Sequence, residues 1–153
     1  MKKFTVLGFG LAMLISAPSF AACDAGEIQG VWTRSETDAG VPDSGKTVIW
    51  NIQGDSLVGI VQLNDSYTTA GMGPYFEEET SYQAALSSDC TLTLTANEST
   101  LRSYRRYEEP NADRTEETVD VRGQVRSFRV DVTKDKLTLI DSKNESVQMS
   151  RKN

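Results

Sequence analysis

Downstream of residue 21 the chain alternates apolar and polar residues with a period of two, and no stretch carries the 3.6-residue period of a long amphipathic helix. Cys90-Thr91-Leu92-Thr93-Leu94-Thr95-Ala96 sets Cys90, Leu92, Leu94 and Ala96 on one face and threonines on the other. Val48, Trp50 and Ile52 share a face in the TVIWNI segment. Gly54-Asp55 then turns the chain into a strand lined by Leu57, Gly59, Val61 and Leu63. Phe128, Val130 and Val132 alternate before the turn Thr133-Lys134-Asp135. Leu137 and Leu139 follow, and Ser142-Lys143-Asn144 turns the chain into Val147 and Met149. A further hairpin joins residues 100–108 to 116–122 across Pro110-Asn111-Ala112-Asp113. With residues 30–36 and 76–85 added, the pattern predicts an all-β fold of about eight to ten strands. The expected architecture is an antiparallel up-and-down β-barrel, with a sandwich as the second choice. Asp65 to Pro74 is the least regular stretch, a long hairpin loop or a lid over an opening. No internal repeat or domain boundary is visible, so residues 22–153 form a single domain.

The first residues have the three parts of a secretory signal. Lys2 and Lys3 make a positive n-region, Phe4 to Ile15 form an apolar run, and Ser19-Phe20-Ala21 supplies small residues where a signal peptidase reads. The apolar run is shorter than the ~20 residues that span a bilayer, which sets aside a transmembrane anchor. Cleavage after Ala21 is expected, and a periplasmic location with it. Cys23 then has two fates. Ala21-Ala22-Cys23 resembles the end of a bacterial lipobox, which would anchor the chain by a lipid, although Phe20 stands where that motif prefers Leu. The other fate is a disulfide with Cys90, the only other cysteine, as an even count in an exported chain normally implies. The disulfide is the expectation.

Glu27-Ile28-Gln29-Gly30-Val31-Trp32-Thr33 opens the first strand, and Met149-Ser150-Arg151-Lys152 ends the last. This resembles the lipocalin and lipocalin-like families of the calycin group, whose first strand carries Gly-x-Trp. An arginine late in their last strand covers that tryptophan. Gly30 and Trp32 match the first element, and Arg151 is the candidate for the second. The Thr-Asp-Tyr-like motif of lipocalins proper is missing at Asn64-Asp65-Ser66-Tyr67, so the likeness is to the broader lipocalin-like barrels. The resemblance implies an eight-stranded barrel able to hold a small apolar ligand, with Gly30, Trp32 and Arg151 structural rather than catalytic.

Composition narrows the chemistry. The 153 residues include no histidine, which removes every mechanism built on an imidazole base and every His-containing zinc site. No metal site or cofactor is predicted. The net charge of −6 argues against nucleic acid as a partner, since phosphates call for basic surface. Removal of Lys2 and Lys3 makes the remainder more acidic still. Glu77-Glu78-Glu79, Glu108-Glu109 and Glu116-Glu117 read as solvated acidic surface, because neighbours on a strand point to opposite faces and make no facing pair.

Two features stand out as candidate ligand contacts. Leu101-Arg102-Ser103-Tyr104-Arg105-Arg106-Tyr107 puts Arg102, Tyr104 and Arg106 on one strand face. There they form either a surface that grips an anion or cross-strand ion pairs with Glu77–Glu79 and Glu116–Glu117. Trp50 faces a packed core or an open cavity. In the open case Trp50, Val61, Leu63, Leu92, Leu94 and Tyr104 are the expected lining. The resulting expectation is a non-enzymatic, exported lipocalin-like protein that binds a small hydrophobic or amphiphilic ligand. The alternative is an acidic inhibitor or immunity-type protein acting on a basic enzyme such as a lysozyme. An enzyme ranks third for want of a placed acid, base or nucleophile. A structural envelope role tethered through Cys23 remains open.

Overall fold

The computed structural model describes residues 23–37, 45–64, 76–104 and 114–152, with Asn64, Tyr104 and Arg114 described by backbone alone. The expected signal segment 1–21, the stretch from Asp65 to Pro74 and Pro110-Asn111-Ala112-Asp113 lie outside the described residues. Nine strands make up one antiparallel sheet: β1 (Gly30–Thr37), β2 (Gly45–Gln53), β3 (Ser56–Asn64), β4 (Phe76–Leu86), β5 (Thr91–Tyr104), β6 (Arg114–Val119), β7 (Val125–Val132), β8 (Lys136–Ile140) and β9 (Ser146–Arg151). Eight of them close in the order β1-β2-β3-β4-β5-β7-β8-β9, with β9 returning to β1 through Trp32↔Arg151 and Thr33↔Ser150. The fold is therefore an up-and-down barrel, not a sandwich. β6 is the extra strand, paired with the far end of β5.

The alternation read from the sequence is the alternation of inside and outside. Trp32 faces Trp50 across the β1–β2 ladder, Ile52 faces Leu57, and Leu92 faces Phe128. At the closed end Trp32, Ile52, Leu57, Leu92 and Leu137 have no exposed surface, and Leu139, Met149, Val130 and Ile28 complete the core. Each such aliphatic side chain contributes about 1.5–3 kcal/mol when fully buried.

The ends of the strand series are tied together at this closed end. The Arg151 guanidinium lies 4.1 Å from the centroid of the Trp32 ring, a contact worth about 0.5–2 kcal/mol. Its three nitrogens donate to the carbonyls of Glu27, Gln29 and Lys134 at 2.6–2.7 Å. The Trp32 indole donates to the Ile28 carbonyl at 2.8 Å. Gly30 sits at φ +116°, and a Cβ there would lie 2.9 Å from the Arg151 guanidinium, so both backbone and space call for glycine. Close by, Cys23 and Cys90 form a disulfide with a sequence separation of 67. On the chain-entropy account a loop of that length stabilises by about 4 kcal/mol. The bond also fixes the entry segment onto the core, against which both cysteines pack.

One interruption changes which residues face inward. In the β4–β5 ladder Tyr82 pairs with Ala96 but Ser81 pairs with Glu98, leaving Asn97 as an extra residue. A bulge of this kind exchanges the two faces of everything beyond it. Leu92, Leu94 and Ala96 face in before it, and Ser99 faces in after it.

Candidate functional site

Followed from the closed end toward the other, the inward rows change character. On β2 the row runs Ile52, Trp50, Val48, Lys46. On β3 it runs Leu57, Gly59, Val61, on β4 Ala84, Tyr82, Thr80, Glu78, and on β7 Val130, Phe128, Arg126. The first members pack solidly, whereas the later ones, together with Leu94 of β5, surround a cavity of about 210 Å³. Two of its lining rings, Trp50 and Phe128, touch edge to face, 6.0 Å between centroids and 61° between planes. That arrangement suits the ring quadrupoles and leaves flat faces for an apolar guest.

Gly59 is the reason there is room. It lies between Trp50 and Tyr82 on the inner face, and a Cβ would stand 3.5 Å from the Trp50 indole nitrogen and 3.4 Å from a Tyr82 ring carbon. Any longer side chain would occupy the space between the two rings.

The polar part of the wall is Lys46, Glu78, Thr80 and Arg126, and the bulge places Ser99 behind it. Ser99, brought inward beyond Asn97, and Thr80 share a hydrogen bond of 2.9 Å, and both are buried. Each hydroxyl also reaches one oxygen of Glu78, at 3.3 Å from Ser99 and 3.5 Å from Thr80. The Glu77-Glu78-Glu79 run is thus divided between faces, with Glu78 on the cavity and its neighbours outside. Lys46 and Arg126 lie at the mouth-side ends of their rows and are exposed.

The residues singled out from the sequence fall in different places. Trp50 lines the cavity, as do Val61 and Leu94. Leu92 belongs to the closed-end core, and Leu63 is inward on β3 beyond the cavity lining. Arg102 is on the outer face, because the bulge exchanges the parity that would have aligned it with Leu94. There it meets Glu77 at 2.9 Å, Glu79 at 3.1 Å and Glu116 at 3.2 Å, joining β4, β5 and β6. Hydrogen bonds to Glu79 and then Glu77 push its pKa above the ordinary guanidinium value, so it stays charged throughout. The side chain of Tyr104 and the whole of Arg106 lie outside the described residues.

Sequence reasoning did not single out Lys46, Gly59, Glu78, Thr80, Ser99 or Phe128 as site residues, and reached Arg126 only as added positive charge beside Arg102. Strand periodicity carries a partial signal, since Lys46 continues the Val48-Trp50 row and Arg126 the Phe128-Val130 row. Among the described residues no group of three or more His, Cys, Asp or Glu side chains is arranged to hold a metal ion. No described helix is long and apolar enough to cross a membrane. Comparison with known protein families, with curated proteins and with solved structures gave no match. The likeness to lipocalin-like barrels is accordingly one of fold alone.

Proposed function

We propose that the protein is an exported, non-enzymatic binding barrel that holds a small hydrophobic or amphiphilic molecule in its wide half. The observation that supports this is the cavity of about 210 Å³ walled by Trp50, Phe128, Tyr82, Val48, Val61 and Leu94, with polar groups at its mouth. A cavity of ~150 Å³ is enough to take up benzene, so this one suits a guest modestly larger. Its lining is divided about equally between apolar and polar surface, a mixture that suits an amphiphile better than a purely apolar guest. Export is supported by the signal-like segment 1–21, and the Cys23–Cys90 bond is compatible with an oxidising compartment such as the periplasm.

The two tryptophans supply the test. Trp32 is sealed under Arg151, and Trp50 borders the cavity. Titration with 3-phenyl-1-propanol is expected to change the fluorescence of the wild type and of Trp32→Phe, and to leave Trp50→Phe silent. A response that survives Trp50→Phe, or the absence of any response, would remove the cavity from the account.

A further inference from the structure

The charges at the cavity mouth bear on which amphiphile fits. Lys46 ends the inward row of β2 and Arg126 that of β7, while Glu78 lines the cavity from β4 with Phe76 beyond it in its row. In the ring of eight strands β2 and β7 lie opposite one another, with β4 on the wall between them. Arg34, Arg102, Arg122 and Arg151 are all engaged by carboxylates or carbonyls of the protein. Lys46 and Arg126, by contrast, form no ion pair among the described residues, and neither pairs with Glu78 across the shared cavity. Both hydroxyls approach Glu78 at the same oxygen, Oε1, and one of them donates to it while the other donates within the Ser99–Thr80 pair, so that Oε2 has no hydrogen bond among the described residues.

This pattern discriminates among head groups. A purely anionic ligand gains Lys46 and Arg126 but meets the Glu78 carboxylate. A purely cationic one gains Glu78 and meets two positive charges, and a neutral one uses none of them. Only a ligand carrying both signs leaves no like charge facing it. We infer that the ligand is a small apolar zwitterion, its anionic group held from the Lys46 and Arg126 walls, its cationic group at Glu78 Oε2, and its side group against the Trp50 and Phe128 rings. A free apolar amino acid is the simplest molecule of that class, and one of leucine or phenylalanine size matches a cavity of about 210 Å³. The inference rests on the binding reading above.

Calorimetric titration with four molecules that share one aromatic body separates the two. Phenylalanine carries both charges, 3-phenylpropanoate only the negative, phenethylamine only the positive, and 3-phenyl-1-propanol neither. Phenylalanine is expected to bind roughly ten-fold or more tighter than either singly charged analogue, the scale of one well-made charge-assisted contact. Glu78→Gln keeps an acceptor for Ser99 and Thr80. It is expected to bring phenylalanine down to the level of 3-phenylpropanoate and to leave the alcohol unmoved. A singly charged analogue or the alcohol binding as tightly as phenylalanine overturns the zwitterion and keeps the binding barrel. Silence from all four overturns both.

Discussion

The two tryptophans are cross-strand partners, yet they belong to different halves of the barrel. Trp32 has no exposed surface, donates its indole hydrogen to Ile28 and carries Arg151 on its face. Trp50, one strand over, is half-buried and touches empty volume on the side toward Gly59 and Phe128. Identical side chains at one level of the ladder therefore divide the interior into a filled end and a hollow one. The filled end carries the stability of the fold. The hollow end encloses empty volume.

Truncating each tryptophan tests that division most severely. Trp32→Ala is expected to cost about 3–5 kcal/mol in urea-induced unfolding, the range for a fully buried aromatic. Trp50→Ala is expected to cost only about 1–2 kcal/mol, because it removes a half-buried ring beside an existing void. Equal losses would mean that the cavity is not a real boundary in the core.

A middle-sized effect is expected on the outer wall of the hollow half. Arg102→Ala leaves Glu77, Glu79 and Glu116 facing one another across three strands without their common cation. A loss of about 1–2 kcal/mol is expected, smaller in high salt as the carboxylates are screened. A loss that does not respond to salt would assign the effect to packing of the arginine stem instead.

The smallest change should sharpen the contrast by filling the hollow. Gly59→Ala meets only ordinary contacts at Trp50 and Tyr82. It is expected to stabilise by about 0.4–1 kcal/mol through the unfolded chain while weakening uptake of 3-phenyl-1-propanol. Thermal melting and titration of the one variant read both quantities.

Much of this was legible in the chain. Alternation gave the strands and their faces, because a half-buried sheet separates apolar from polar at every second residue. The pairing of Gly30 and Trp32 with Arg151 came from the resemblance of the two chain ends to lipocalin-like barrels. The parity of the chain beyond Ala96 was not legible. Simple alternation runs Leu94, Ala96, Glu98, Thr100, Arg102 on one face, and the extra residue Asn97 breaks that count. An asparagine inside a strand was a hint, since its side chain competes for backbone bonds and favours irregular geometry. The role of Gly59 was hidden for another reason. Its meaning depends on Trp50 and Tyr82, which flank it only once the registers of β2, β3 and β4 are fixed. Likewise, that Glu78 opposes its neighbours followed from period two, but which side was the interior did not.

The contact between Arg151 and Gln29 joins residues 122 apart in sequence. Until residue 151 is available, β1 has a partner on one edge only and Trp32 has no lid. Ladders joined by short connections, such as β2–β3 and β8–β9, are able to form early, while the seam that turns a curved sheet into a barrel is among the last and most entropically demanding steps. The arginine is in this sense the clasp of the barrel: with the ninth strand in place the open sheet becomes a sealed molecule.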